Sequence, residues 1–109
     1  MDGNISQNLS EIAEKCGIKL HVLHEICDIA RRHGLFRVIL FGSRARGDYH
    51  PTSDIDLAVA GGSYARFALD VEEEASTLLK FDIVNLDGRV QQELLNSIRQ
   101  EGRVIYEKI

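Results

Sequence analysis

The spacing of apolar residues along the chain predicts helices that alternate with short strands. In three segments the apolar residues recur every three or four positions, which is the repeat of an amphipathic helix. Between these segments lie short apolar runs of strand length, bounded by glycine, proline or serine. The predicted helices cover residues 6–15, 20–33, 63–78 and 90–98, with a short additional helix after residue 42. The predicted strands cover residues 35–41, 54–60, 81–86 and 104–106.

Capping and turn residues mark the ends of these segments. Ser6 or Ser10 is expected to cap the first helix, and Gly17 to end it. Gly34 is expected to end the second helix, and Ser63 to cap the third. The stripe of the third helix that is expected to face the core consists of Phe67, Val71, Ala75 and Leu78. This order of elements predicts an α/β fold in which helices cover a small sheet.

The length of 109 residues suits one domain with a single hydrophobic core. We expect residues 1–34 to form a helical segment packed on the same domain as a core of residues 35–109. Hydrophobic residues make up 44% of the chain and charged residues 28%, as in a globular protein. No apolar run approaches the roughly 20 residues that span a bilayer, and no secretory signal is visible. The sequence therefore predicts a cytoplasmic protein without a membrane partner.

The charge balance argues against nucleic acid as the main partner. The formal net charge is −4, whereas broad binding to phosphate backbones needs a basic surface. Residues 10–26 nevertheless resemble a helix-turn-helix, with Gly17 at the turn. The second helix of that segment begins with Lys19 and two histidines, but Glu25 and Asp28 follow and would repel phosphate. We therefore favour the alternative that both helices pack on the sheet or on a partner.

The two cysteines, Cys16 and Cys27, are expected to be free thiols in a reducing compartment. A zinc site would need further ligands, and His21 and His24 are the candidates nearby. The Cys-x-x-Cys spacing that is typical of structural zinc sites is absent, so the sequence favours free thiols.

The candidate chemistry lies between residues 42 and 56. Gly42 allows a tight turn after an apolar strand, and Ser43 offers a hydroxyl and an amide at a helix start that suits phosphate. Ten residues later, Asp54 and Asp56 are two apart on a predicted strand, so their carboxylates point to the same side. Two carboxylates so close repel each other unless a cation lies between them. The pattern indicates a site for a nucleotide and its metal ions.

Two alternatives for these residues differ in strength. A Walker phosphate loop is rejected because Asp48 and Tyr49 stand where that motif needs Lys and Ser/Thr. The alternative that Asp54 only forms a turn after Pro51 stays open, although the spacing favours a metal site.

The segments Gly42-Ser43-Arg44-Ala45-Arg46-Gly47 and Ser53-Asp54-Ile55-Asp56-Leu57 together resemble the signature of the DNA polymerase β-like nucleotidyltransferases, and within them the minimal nucleotidyltransferase (MNT) group. The resemblance extends over residues 35–109, including the ending Glu101-Gly102-Arg103-Val104-Ile105-Tyr106. It implies the fold of that family, with a small mixed β-sheet covered by helices and two additional N-terminal helices.

The resemblance also implies roles for individual residues. Asp54 and Asp56 would bind two Mg²⁺ ions, and Asp82 would complete the metal site and help to activate an attacking hydroxyl; the alternative for Asp82 is a solvated residue on an edge strand. Gly42 and Ser43 would hold the outer phosphates of ATP. The turn also contains two arginines, Arg44 and Arg46. They either contact the triphosphate or are simply exposed to solvent. The implied reaction joins AMP to an acceptor hydroxyl and releases pyrophosphate.

The acceptor follows only from the resemblance. MNT proteins are commonly paired with HEPN toxins, and the MNT member adds AMP to a tyrosine of the toxin, so a HEPN-type partner and an antitoxin role are expected. One alternative is an antitoxin that neutralises its toxin by binding alone. Another is transfer to a small molecule, as in aminoglycoside-modifying relatives, where an oligomer would supply the second surface.

Overall fold

Four β-strands form one mixed sheet in the computed structural model, which describes the backbone of residues 4–109 and the side chains of residues 9–109. The strands are β1 Arg37–Phe41, β2 Ile55–Ala60, β3 Phe81–Asn85 and β4 Arg103–Glu107. The helices are α1 Asn4–Cys16, α2 Leu20–Arg32, α3 Gly42–Arg46, α4 Tyr64–Glu74 and α5 Gln92–Glu101. The strand order is β3-β2-β1-β4, with β1 antiparallel to β2 and β4, and β2 parallel to β3. The predicted fold class, a small mixed sheet covered by helices, is confirmed.

One face of the sheet, which we call the helical face, is covered by α1, α2 and α4. Along β2 this face presents Ile55, Leu57 and Val59, all fully buried, because alternate residues of a strand point to the same side. Phe67 and Val71 of α4 pack into the same cluster. Since α4 connects the parallel strands β2 and β3, its packing fixes the position of one strand beside the other.

The opposite face, which we call the aspartate face, carries Asp56 on β2 and Asp82 on β3 and is covered by α5. Its fully packed apolar cluster is small and consists of Phe41, Ala58 and Ile98. The partly buried side chains that surround this cluster are Ile39, Val84, Leu86 and Leu94. This face therefore leaves room for polar groups at the end of the sheet where Asp56 and Asp82 lie.

The predicted elements all form, and Ser63 stands at the N-cap position of α4, although its side chain makes no capping hydrogen bond. Two other details of the helix ends were wrong. Helix α1 already begins at Asn4, so Ser6 and Ser10 lie inside it and do not cap it. Helix α4 ends at Glu74, which leaves Leu78 fully exposed in a loop and not in the core stripe. The chain leaves the helical conformation at Ala75, which has a ψ of 132°, and the Ser76 amide then donates to Glu25 Oε1 on α2 (2.7 Å) instead of to a helix carbonyl.

The N-terminal helices α1 and α2 pack on the sheet. Leu9 and Ile12 of α1 and Leu23 and Ile26 of α2 belong to the cluster on the helical face. This packing agrees with the alternative favoured above for the helix-turn-helix-like segment. Within residues 4–109 no helix is both long and apolar enough to cross a membrane.

Both cysteines are free, as predicted, and the structure shows that both are buried. Cys27 Sγ donates to the carbonyl oxygen of Ile105 (3.1 Å), and burial raises the pKa of this thiol to about 11. Cys27 is therefore a protonated core residue on the inner side of α2.

Candidate active site

The turn between β1 and α3 brings the backbone of Gly42 directly against the carboxylate of Asp56. Gly42 has a φ of 79°, a backbone conformation that residues other than glycine rarely adopt. A Cβ atom built on Gly42 would collide with Asp56 Oδ2. Glycine is therefore required at this position both by the backbone conformation and by the approach of the turn to the carboxylate.

The sheet brings two of the predicted carboxylates into register. Asp56 and Asp82 are direct partners across the parallel pair β2 and β3, so their side chains leave the same face of the sheet. Asp54 immediately precedes β2 and is exposed, as is Asp82, whereas Asp56 is half-buried. The three aspartates therefore lie at one end of the aspartate face, with Asp56 the innermost.

The electrostatics of Asp56 show that these carboxylates act on one another. The pKa of Asp56 is raised from its usual 3.8 to about 6, first by burial and then by the negative charges of Asp82 and Asp54. The guanidinium of Arg46 lowers this pKa, but by less than the combined opposing effects. The end of the aspartate face is therefore short of positive charge.

That shortage fits a divalent cation. Carboxylate oxygens are the ligands that Mg²⁺ prefers, and a cation among the aspartates would offset the repulsion that raises the pKa of Asp56. Over the part of the chain whose side chains the structure describes, no three acidic, histidine or cysteine side chains already stand together as a complete metal-binding group. The donor chemistry of the three aspartates fits the ion.

Arg46 and Ser43 lie on the same turn as Gly42. Arg46 is exposed and pairs with Glu101 Oε1 (3.1 Å) and Asp48 Oδ2 (3.3 Å). The carbonyl oxygen of Ser43 accepts hydrogen bonds from the amides of Gly47 (2.9 Å) and Asp48 (3.1 Å), which close α3. Gly47 adopts a φ of 93° as the C-cap, so the turn is held at both ends by glycines in the left-handed region.

Arg44 lies away from the predicted nucleotide site, on the inner side of α3. Only 1% of it is exposed, so the alternative of a solvated turn is wrong for this residue. Its five N–H groups donate to backbone carbonyl oxygens, and its guanidinium stacks on the Tyr49 ring at 4.8 Å from the centroid. The acceptors are the carbonyl oxygens of Cys16, Gly17, His50, Pro51 and Ser53.

These contacts give Arg44 a structural role that replaces the predicted phosphate contact. An arginine has five N–H donors, and all five are already used. The bonds join three segments: the end of α1, the turn, and the loop that leads into β2. Arg44 therefore positions the turn relative to Asp56 from behind, and we do not include it among the nucleotide contacts.

Two features of the site were missed from the sequence. Glu101, at the end of α5, accepts a hydrogen bond from the Gly42 amide (2.8 Å) and pairs with Arg46. Tyr49 covers Gly17, where a Cβ atom would collide with its ring. Both contacts join residues far apart in the chain, so no local pattern could have predicted them.

Comparison with known proteins places this arrangement in a family. Residues 24–109 match the model of the family described as "Polymerase beta, Nucleotidyltransferase". The chain is also 35% identical over 79 residues to a Methanocaldococcus jannaschii protein, MJ0604, provisionally named a protein adenylyltransferase. That similarity covers 64% of this chain and 77% of the relative.

Two solved structures share the fold. One, provisionally described as a minimal nucleotidyltransferase, is 32% identical with a TM-score of 0.59, over 74% of this chain and 86% of that chain. The other is a crystal structure of a toxin–antitoxin with AMP-PNP, with a TM-score of 0.65 at 22% identity. It covers 79% of this chain and 73% of that chain, and at this identity the likeness concerns the fold.

Proposed function

The chain belongs to the polymerase β nucleotidyltransferase family and is a nucleotidyltransferase of the minimal type, and we propose that it transfers AMP from ATP to a hydroxyl group of a partner protein. The observation that carries this proposal is the contact between the Gly42 turn and the Asp56 carboxylate, with Asp82 in register beside it. The turn that would bind phosphate thus lies directly against one of the carboxylates that would bind metal.

Asp54, Asp56 and Asp82 are the residues that would hold Mg²⁺. Magnesium bound there supplies positive charge to the phosphates and lowers the pKa of a hydroxyl that it contacts. The aspartates themselves set where this charge lies, because Asp56 and Asp82 are fixed by strand register and Asp54 by the start of β2. Asp82, exposed on the outer strand β3, would also help to activate the attacking hydroxyl by accepting its proton.

The turn would hold the phosphates that leave. Gly42 and Ser43 present backbone amides and a hydroxyl at the start of α3, and Arg46 supplies a guanidinium on the exposed side of the turn. In the reaction the acceptor oxygen bonds to the α-phosphorus, and the bond from that phosphorus to the bridging oxygen of the β-phosphate breaks. Pyrophosphate leaves, so the residues that bind the outer phosphates also stabilise the leaving group.

The partner that we infer is a toxin, and its acceptor group a tyrosine hydroxyl of a HEPN-type protein. A toxin–antitoxin structure shares the fold, and the M. jannaschii relative bears the name of a protein adenylyltransferase. The ATP analogue in that toxin–antitoxin structure supports ATP as the donor. Transfer of AMP would add a bulky, charged group to the toxin, which accounts for neutralisation.

We also infer that residues 1–34 and 35–109 act as one domain. The N-terminal helices contribute to the same apolar cluster as the sheet. Arg44 of the turn bonds to the carbonyl oxygens of Cys16 and Gly17, so the end of α1 supports the turn directly. Removing the N-terminal segment would leave these donors without acceptors.

The proposal is tested by incubating the protein with Mg²⁺, ATP and the protein encoded beside it in the genome, followed by intact-mass measurement of both. We expect an AMP-sized increase on the neighbour, absent with EDTA and absent with Asp56→Ala. A stable complex that forms equally with wild type and Asp56→Ala, without any added mass, would contradict transfer and indicate neutralisation by binding.

A further inference from the structure

The carboxylate of Glu101 occupies the donors that the proposed function assigns to phosphate. Glu101 Oε2 accepts a hydrogen bond from the Gly42 amide at 2.8 Å, and both carboxylate oxygens lie within 3.2 Å of Arg46 Nη1. The Glu101 side chain is 17% exposed. A carboxylate is an anionic acceptor of the same kind as a phosphate oxygen, so the two compete for these donors.

Glu101 holds this position in an unfavourable electrostatic setting. Its charge is one of those that raise the pKa of Asp56, so it adds a further negative group to the cluster formed by Asp54, Asp56 and Asp82. The attraction that holds it comes from one amide and one exposed guanidinium. An incoming triphosphate offers more acceptor oxygens to the Gly42 amide and the Arg46 guanidinium than Glu101 does. Because cations accompany it, it is not repelled by the aspartates as Glu101 is.

The backbone beneath Glu101 is fixed, so only its side chain needs to move. The Gly102 amide donates to the Ile98 carbonyl oxygen at 2.8 Å. A Cβ atom on Gly102 would collide with that same oxygen and approach Ile39 Cγ2 at 2.6 Å. The end of α5 therefore lies tightly on β1, and rotation of the Glu101 side chain is the movement that frees the turn.

We propose that Glu101 is an internal competitor of the nucleotide, which occupies the Gly42 amide and Arg46 in the free protein and is displaced by the phosphates when nucleotide binds. This inference rests on the proposed function and adds a residue that sets nucleotide affinity. Glu101 weakens nucleotide binding and keeps the turn ordered in the free protein. After displacement its carboxylate is released at the rim of the site, on the side of α5.

The test is a calorimetric titration of the full chain with ATP in Mg²⁺. Wild type is compared with Glu101→Ala, which removes the carboxylate, and with Glu101→Asp, which keeps the charge but is one methylene too short to reach the Gly42 amide. The matched control is Glu107→Ala. Glu107 of β4 pairs with Arg37 of β1 (2.7 Å), at the end of β1 opposite the turn. Adenosine, which has no phosphate, serves as the second ligand.

We expect Glu101→Ala and Glu101→Asp to bind ATP about tenfold more tightly than wild type, with Glu107→Ala and the binding of adenosine unchanged. If wild type binds ATP but Glu101→Ala binds it equally or more weakly, the inference is wrong while the proposed function stands. If Glu101→Asp behaves like wild type and only Glu101→Ala binds more tightly, Glu101 weakens binding through its charge and not by occupying the Gly42 amide. That result overturns the inference. If wild type and both variants fail to bind ATP, the proposed function fails and the inference with it.

Discussion

The two faces of the sheet differ in what their side chains do. The helical face is packed by three helices, and its β2 residues Ile55, Leu57 and Val59 are completely buried. The aspartate face is covered by one helix, and its β2 residue Asp56 lies half-buried with a pKa raised to about 6. Neighbouring residues of one strand thus have different roles, because successive side chains point to opposite faces of the sheet. Apolar burial stabilises the strand, and that stability holds carboxylates which repel one another.

The two arginines of the turn repeat this difference. Arg44 points inward and donates to five backbone carbonyl oxygens, whereas Arg46 points outward and pairs with two carboxylates. Both residues belong to the same five-residue helix. Their identical side chains therefore have different surroundings: Arg44 supports the turn from inside, and Arg46 lies at the surface, where an incoming anion would have to displace its carboxylate partners.

The largest effect that we expect is loss of activity on replacing Asp54 by Asn. Asp54 is exposed, so its removal leaves the packing unchanged, while AMP transfer should fall by at least about 100-fold because a ligand of the proposed metal site is lost. The rate at which labelled AMP is transferred from α-labelled ATP to the partner measures this. Asp28→Asn, at an exposed aspartate paired with Arg31, is the matched control and should keep wild-type activity. Full activity in Asp54→Asn would show that Asp54 is not a ligand of the proposed metal site.

The next effect is on stability and separates the two arginines. Arg44→Lys keeps the positive charge but leaves several buried carbonyl oxygens without donors, and we expect the free energy of unfolding to fall by about 3 kcal/mol. Arg46→Lys should leave stability close to wild type because Arg46 is exposed, and should instead raise the KM for ATP. Urea unfolding of both variants tests this. Equal stability of the two would show that the bonds of Arg44 add nothing to the fold.

A smaller effect is expected for Ser43→Ala. The backbone amides of the turn remain, so only the hydroxyl contact to phosphate is lost, and the apparent affinity for ATP should weaken by roughly tenfold or less. Titration with ATP in Mg²⁺ measures the change. An affinity identical to that of wild type would exclude the Ser43 hydroxyl from the phosphate contacts.

The smallest effect concerns pH. Because the pKa of Asp56 is raised from 3.8 to about 6 in the folded protein, the folded state binds this proton more tightly than the unfolded chain. The stabilisation is complete below pH 3.8 and is lost as the pH rises through 6. Without Mg²⁺, the free energy of unfolding of wild type should therefore fall between pH 5 and 7 relative to that of Asp56→Asn, by less than about 1 kcal/mol because water screens the half-exposed carboxylate.

The measurement is urea unfolding of the two proteins in EDTA at several pH values. The window above pH 5 avoids the carboxylates of Asp70 and Glu74, whose pKa values are lowered by His33 and Arg32 respectively and which lose stabilisation only at lower pH. A difference between wild type and Asp56→Asn that does not vary with pH would contradict the raised pKa.

Local patterns in the sequence were sufficient to predict the elements and the placement of Asp56. The alternation of Asp56 with Ile55 and Leu57 predicts which side chains are buried, and these two apolar residues are indeed fully buried. The position of the Asp82 strand beside the Asp56 strand follows from the single crossover helix that joins them. These features depend on periodicity and chain order, both of which are visible in one sequence.

Contacts between distant segments could not be predicted in the same way. The side chain of Arg44 is held by carbonyl oxygens of the backbone, and backbone acceptors leave no trace in residue types. Glu101 reaches the Gly42 amide only because α5 lies across the aspartate face, a position set by the whole sheet. The early end of α4 likewise depends on Glu25 of another helix.

The most direct test of the difference between the two faces uses the adjacent residues Asp56 and Leu57. Urea unfolding and AMP transfer to the partner, the latter expressed per folded molecule, are measured for Asp56→Asn and Leu57→Ala. We predict that Asp56→Asn loses transfer and unfolds no more easily than wild type. Leu57→Ala should lose about 3 kcal/mol of stability and retain transfer. If Asp56→Asn transfers AMP at the wild-type rate, or if both substitutions reduce stability and transfer together, the assignment of chemistry to one face and stability to the other is wrong.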